Sequence, residues 1–157
     1  MRKVKNFLLL DFETKFYLIE AFILLAWARM LKAQPFAKTA NLLGTPMKET
    51  DFTLADTAIA KKVSDCIHIM SSYTFWESQC LVKGIAAMKM LERRNIESTL
   101  YLGTGKDENN QLIAHAWLRS GTYMVTGSEG MERFTMVSCF ANTCLIKKGR
   151  ELNGKNI

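Results

Sequence analysis

Proline, glycine and histidine are scarce in this chain of 157 residues. It has 2 prolines, 9 glycines and 2 histidines, and no stretch rich in Pro, Gly or Ser suggests a linker. A single domain over residues 1–157 is therefore expected. Its four cysteines form no CxxC pair and show no Cys/His spacing typical of zinc, so neither a metal nor a cofactor is predicted.

Long apolar runs are also missing. The most apolar segment, residues 16–28, contains Glu20 and is followed by Arg29, whereas a membrane-spanning helix needs about 20 apolar residues. We expect no transmembrane span, and instead a buried or interfacial helix that is a candidate for docking on a partner. Because the N-terminus lacks a signal-peptide cleavage site and the thiols have no evident pairing, a cytoplasmic location is expected.

The net charge of +6 comes from 21 Lys+Arg against 15 Asp+Glu. The basic residues lie mainly outside the apolar segments, at the two ends of the chain. A nucleic-acid-binding protein usually concentrates them on one stripe beside aromatic residues. The distribution here indicates a solvated surface, and no nucleic-acid partner is predicted.

Apolar periodicity predicts helices first and strands afterwards. Helices are expected over residues 11–33, 53–71 and 79–94, with Asp11 as a cap and Pro35 beyond the end of the first. Strands are expected over residues 98–103, 112–119, 122–126 and 134–140. The order indicates an α+β fold. It divides into a helical part up to about residue 72, a core over 73–145 and a polar tail over 146–157.

Cys80 and His115 are the candidates for chemistry. If Ser78 caps the third helix, Cys80 lies in its first turn, where free N–H groups and the helix dipole favour a thiolate. Most free cysteines, however, are small buried hydrophobic residues. His115 lies in a strand between two alanines, where it is either a base or a structural histidine. A helix that begins at a cysteine, followed by a strand with a histidine, is the order found in papain-like and transglutaminase-like thiol enzymes.

Several motifs resemble those of the lasso-peptide leader peptidases, standalone cysteine peptidases of the transglutaminase-like kind. The resemblance covers residues 73–127 and extends to two N-terminal motifs. It rests on Ser78-Gln-Cys-Leu81, Leu91-Glu-Arg-Arg-Asn-Ile96, Thr99-Leu-Tyr-Leu-Gly103 and Ile113-Ala-His-Ala-Trp-Leu118, with Leu10-Asp-Phe-Glu-Thr14 and Ala26-Trp-Ala-Arg29 near the N-terminus. It implies a papain/transglutaminase-like fold, in which N-terminal helices precede a catalytic helix packed on a small antiparallel sheet.

The resemblance also implies a reaction and partners. Cys80 would attack the bond between leader and core of a ribosomally made precursor peptide, with His115 as its base. The partners implied are the precursor leader, a separate leader-recognition protein in trans and the ATP-dependent lasso cyclase. The Cys80 N–H would be one oxyanion donor. Gln79 or Trp76 would be a second donor or a packing residue, and Trp76 and Trp117 either line the substrate groove or belong to the core.

A third catalytic residue is harder to assign, because the family generally orients its histidine with an Asp. A two-residue hairpin turn at Ser120-Gly121 predicts that His115 faces Thr126, and a one-residue slip would bring Val125 or Gly127 opposite. None of these is a carboxylate, and the nearest one downstream is Glu129. Thr126 or a backbone carbonyl orients the imidazole, Glu129 folds back to do so, or the site is weakened.

Two other functions stay open. An acyltransferase would use the same cysteine and histidine but pass the thioester to an amine. A non-catalytic peptide-binding subunit would keep both residues only as remnants. The remaining cysteines and histidine are interpreted as structural residues: Cys66, His68, Cys139 and Cys144.

Overall fold

A computed structural model describes residues 10–52 and 56–143. The helices are α1 (Phe12–Lys32), α2 (Phe36–Thr39), α3 (Thr57–Ser71) and α4 (Cys80–Glu92), with short 3₁₀ turns at Ala40–Leu42 and Met131–Arg133. The strands are β1 (Thr45–Pro46), β2 (Ser98–Lys106), β3 (Leu112–Ser120), β4 (Tyr123–Thr126) and β5 (Thr135–Asn142). The predicted α+β class is confirmed. The predicted tail over 146–157 lies outside the described residues.

The first helix follows the sequence signals closely. The Asp11 carboxylate accepts a hydrogen bond from the Thr14 N–H at 2.8 Å, which caps α1. The helix ends at Lys32, shortly before Pro35, so the predicted bounds are confirmed within one residue at each end. The predicted start of the second helix at residue 53 was wrong. Helix α3 begins at Thr57, because the Asp56 carboxylate accepts a hydrogen bond from the Ile59 N–H at 3.3 Å.

The start of α4 also differs from the prediction in its cap. Gln79 precedes the helix and its side chain makes no capping hydrogen bond. Ser78 was expected to cap, but its hydroxyl lies 2.9 Å from the Thr74 hydroxyl. The prediction of Cys80 in the first turn is confirmed, since Cys80 is the first residue of α4.

All neighbouring strands are antiparallel, in the order β1-β5-β2-β3-β4. Helix α4 packs on β2, β3 and β4, and α1 and α3 pack in turn against α4. Glycine at position 84 permits this close approach, because a Cβ there would lie 2.8 Å from the Leu100 Cδ1 atom. The helices and this face of the sheet enclose the main core, which includes Leu25, Ile67, Met88, Leu100 and Leu118.

The other face of the sheet carries a smaller cluster. Tyr101, Trp117 and Cys139 are buried there, and Met131 and Phe134 pack against them. The Tyr101 and Trp117 rings stack with centroids 5.6 Å apart. Alternate side chains of β3 therefore belong to different clusters on opposite sides of the sheet, as strand geometry requires.

A buried ion pair joins α1 to the end of α4. Glu20 is only 8% exposed, and its Oε2 atom accepts a hydrogen bond from Arg94 Nη2 at 2.6 Å. Arg93 Nε lies 2.7 Å from the other carboxylate oxygen. The Arg94 guanidinium also stacks on the Tyr17 ring, 3.9 Å from its centroid. Two arginines thus neutralise one buried carboxylate between the packed helices.

Across residues 10–52 and 56–143, no helix is both long and apolar enough to cross a membrane.

Candidate functional site

Cys80 lies where a helix begins and solvent still has access. Its thiol is free and half-buried, whereas Cys66 and Cys139 are buried. Among the described residues, no side chain makes a capping hydrogen bond at the start of α4. These N–H groups and the positive end of the helix dipole therefore face the region around the Cys80 thiol.

The packing of α4 on the sheet determines where its first residue lies. A Cβ at Gly84 would contact both Leu100 and Thr126, and Leu118 pairs with both of these residues. Helix α4 therefore lies over the Leu118 side of β3. Its C-terminal end leads into β2 near Ser120, whose hydroxyl donates to the Glu97 carbonyl at 2.6 Å. Cys80, one turn before Gly84, thus lies near the end of the sheet where β3 begins.

His115 lies at that same end of the sheet. It pairs with Gly103 in an unbroken β2–β3 register. Its Nε2 atom lies 2.8 Å from the Gly127 carbonyl oxygen. The imidazole also stacks on Phe134, with ring centroids 4.8 Å apart. Because a carbonyl oxygen can only accept, Nε2 carries the proton of the neutral ring and Nδ1 is left as the basic nitrogen.

The structure does not join the two residues by a hydrogen bond. His115 shares its side of β3 with Trp117, whose ring centroid is 6.0 Å away, and this is the side opposite Leu118 and α4. Cys80 and His115 therefore lie at the same end of the sheet but on opposite faces. Strand β4 pairs with β3 only from Leu118 onwards, so the described part of the chain adds no further β4 pairing beside His115.

The predicted hairpin register was wrong. Ser120 pairs with Tyr123, Arg119 with Met124 and Leu118 with Thr126, so a bulge adds Val125 to β4. Thr126 therefore does not face His115. Its hydroxyl is buried near Gly84, on the α4 side of the sheet, without a hydrogen-bond partner among the described residues.

The partner of the imidazole is instead a backbone carbonyl, one of the alternatives that the sequence left open. Gly127 supplies it from a left-handed conformation with φ of 72°. A Cβ at this position would lie 2.3 Å from the Ala116 carbonyl oxygen, so only glycine fits. Glu129 is exposed, and no described hydrogen bond links it to His115. The stacking of Phe134 on His115 was not predicted, and no periodic signal in the sequence would have revealed it.

The residues proposed for an oxyanion hole or substrate groove lie in different settings. Trp76 packs against Phe22 and Phe75, with centroids 5.2 and 4.6 Å away. Its indole Nε1 atom is buried with no hydrogen-bond partner in the described structure. Gln79 is exposed at the start of α4. Trp117 is 9% exposed and belongs to the cluster on the His115 face.

The other thiols differ from Cys80 in their surroundings. Burial raises the pKa of the Cys66 thiol to about 11. Burial also raises the pKa of Cys139. His68 Nδ1 lies 2.8 Å from the Ser64 carbonyl within α3. Cys144 lies outside the described residues, and those that are described contain no cluster of metal-binding side chains.

Comparison with protein families agrees with this architecture. A family model described as the transglutaminase-like superfamily matches residues 21–139, which include both Cys80 and His115. The chain therefore belongs to the transglutaminase-like superfamily, which includes cysteine peptidases and acyltransferases. Searches of curated proteins and of solved structures found no match.

Proposed function

We propose that this transglutaminase-like protein is a cysteine peptidase that removes the leader from a ribosomally made lasso precursor peptide. The observation that carries the proposal is the half-buried, reduced Cys80 at the uncapped start of α4, at the same end of the sheet as His115. The motifs around both residues support the choice of substrate. The superfamily alone supports only thiol-based acyl transfer.

In the proposed reaction, His115 and Cys80 act in successive steps. His115 Nδ1 removes the thiol proton, and the Cys80 sulfur forms a bond to the scissile carbonyl carbon. The C–N bond then breaks, the amine leaves with the proton from His115, and water hydrolyses the thioester to release the leader acid. The Gly127 carbonyl supports this role, because it holds the ring in the tautomer that leaves Nδ1 unprotonated.

This chemistry requires a rearrangement at the end of the sheet. A thiol and its base must approach to about 3 Å, but here they lie on opposite faces of β3. The proposal is therefore that substrate binding brings the imidazole and the start of α4 together, around the part of β3 beyond the last β4 pair. Such closure, driven by the binding of the correct substrate, also contributes to specificity.

Two donors are available for the oxyanion of the tetrahedral intermediate. One is the backbone N–H of Cys80, which begins α4. The other is the indole N–H of Trp76, four residues earlier, because a buried donor without a partner is costly unless a ligand satisfies it. Gln79 is the exposed alternative. Neither Glu129 nor Thr126 is given the role of third residue, which we assign to the Gly127 carbonyl.

The proposal includes two separate proteins as partners. A separate recognition protein delivers the leader in trans and raises its effective concentration at Cys80. The ATP-dependent cyclase acts on the released core peptide, in the cytoplasm. No cofactor takes part in the proposed reaction.

The direct test is mass spectrometry of a lasso precursor incubated with the protein and its recognition partner. We expect wild type and Cys139→Ala to cleave at the leader–core junction and Cys80→Ala to give no product. Adding a primary amine separates the acyltransferase, which would give an amide of the leader instead of its free acid. Cleavage by Cys80→Ala would contradict the assignment of the nucleophile.

A non-catalytic peptide-binding subunit is the second candidate, because His115 and Cys80 face opposite sides of the sheet. Thiol alkylation in a Cys144→Ser background separates the two. At pH 7 an activated Cys80 should react first, since burial raises the pKa values of Cys66 and Cys139. Peptidase activity predicts that reaction at Cys80 persists at a pH below that at which a free thiol reacts. A Cys80 with the pH dependence of a free thiol would favour the binding subunit.

A further inference from the structure

Helix α1 carries apolar residues on two opposite sides. One side packs into the core with Leu18, Ala21, Leu25 and Ala28. The other carries Phe12, Phe16, Ile19, Ile23 and Met30, which are 85%, 52%, 53%, 59% and 63% exposed. A surface helix usually has one apolar side, which meets the core, so a second apolar side indicates an interaction surface. The described residues cover only the core side.

The exposed residues form a continuous stripe. We define the outer stripe as Phe12, Phe16, Ile19, Ile23, Ala26 and Met30. At 100° per residue these positions fall within roughly 80° of the helix surface. Their spacing alternates between four and three residues, which is the pattern of a seam between two helices, and no charged residue interrupts it.

We propose that two copies of this chain associate through their outer stripes, with the two α1 helices antiparallel. The spacing of the stripe residues is the same in both directions along the helix. A twofold axis at the centre of the stripe therefore brings each stripe position of one copy opposite a stripe position of the other. Phe12 then opposes Met30 of the second copy, Phe16 opposes Ala26, and Ile19 opposes Ile23. Each large Phe16 ring meets a small residue, which is how close-packed helix seams interdigitate.

Grooves beside the stripe can receive side chains of the second copy. Two adjoining grooves, of about 230 and 480 Å³, run between α1 and the end of α4 and share Ile23, Leu24 and Arg93 as lining residues. Each charged side chain that lines the grooves already has an ion-pair partner: Arg93 lies 2.7 Å from Glu20, and Lys89 pairs with Glu92. Bringing the two grooves together therefore buries apolar walls without leaving an unpaired charge.

The size of the stripe suits a modest but specific dimer. A helix of 21 residues is about 31 Å long. The exposed parts of the stripe amount to roughly 600 Å² per copy, or about 1,200 Å² buried in total, which is near the lower limit for a stable interface. A patch of this area is larger than scattered surface residues explain.

The test measures the mass of the intact chain by sedimentation equilibrium between about 1 and 100 µM. We expect a dimer for wild type and a monomer for Ile19→Glu, while Leu112→Glu, at a residue 76% exposed on β3, stays dimeric. Thermal unfolding of each variant confirms that the chain remains folded. A monomeric wild type at 100 µM, or a dimer that Ile19→Glu leaves unchanged, would overturn the proposal.

Exchanging the large and the small residue of one proposed contact tests the antiparallel register. Ala26→Phe places two large rings opposite each other and should weaken dimerisation at least tenfold. Adding Phe16→Ala to the same chain restores one large and one small residue at each contact, and the dissociation constant should return to within a few-fold of wild type. If the double variant is weaker than Ala26→Phe alone, the proposed register is wrong. None of these changes touches Cys80 or His115, so the outcome does not depend on the proposed peptidase activity.

Discussion

At the scale of single residues, Gly127 has an unexpected part in the site. The sequence allowed a backbone carbonyl as the partner of His115 but did not say which one. The carbonyl comes from the one position in this stretch where a left-handed backbone and a neighbouring carbonyl oxygen both require glycine. A missing side-chain carboxylate is thus replaced by a main-chain acceptor, which fixes the tautomer but adds no full negative charge.

Gly127→Ala should disrupt the site, whereas Gly130→Ala serves as its control. Both glycines have φ near 70°, so each substitution costs about 1 kcal/mol from backbone strain. Only position 127 adds a clash, because a Cβ at Gly130 meets nothing within 4 Å. We expect Gly127→Ala to lower precursor cleavage at least tenfold and Gly130→Ala to leave it within about twofold. Equal effects of the two variants would show that the Gly127 carbonyl has no special role.

Residue types and spacing were enough to place Cys80 in the first turn of a helix and His115 in a strand. They did not reveal which face of the sheet His115 occupies relative to α4. That depends on how α4 packs over Leu118, and alternation along a strand gives two faces without saying which one a helix covers.

At the scale of elements, local capping signals were reliable and hairpin register was not. Asp11 and Pro35 define α1 through interactions within a few residues, so the sequence predicts them well. The β3–β4 register changes because Val125 forms a bulge that turns both Val125 and Thr126 towards the helices. A bulge of this kind depends on packing against α4, which turn composition alone does not contain.

The ion pair of Glu20 with Arg93 and Arg94 should hold α1 on α4. In Glu20→Gln the buried carboxylate is lost and Arg94, half-buried on the Tyr17 ring, keeps only a neutral partner. We expect the free energy of unfolding to fall by about 2 kcal/mol, as measured by chemical denaturation.

Glu77→Gln is the matched control, because Glu77 pairs with Lys32 at 2.7 Å but both side chains are substantially exposed. Its effect should be much smaller, since water and salt screen a surface pair. If Glu77→Gln were as destabilising as Glu20→Gln, burial would not explain the strength of the α1–α4 contact.

At the scale of the whole molecule, the two faces of the sheet make different contributions to the proposed reaction. One face packs on the helices and places the start of α4 near the start of β3. The other holds the His115 imidazole between Phe134 and Trp117. The proposed catalysis requires both faces to contribute to one reaction at the start of β3.

Whether Cys80 and His115 act together is tested most directly by a single-turnover cleavage assay on a lasso precursor, with Cys80→Ala, His115→Ala and the double variant. When two residues act as one unit, the enzyme loses nearly all its activity if either is removed. The two single variants and the double variant should therefore be equally slow, at least about a thousandfold below wild type. If His115→Ala cleaves within tenfold of wild type while Cys80→Ala is inactive, His115 is not the base and the proposed pairing across the sheet edge is wrong.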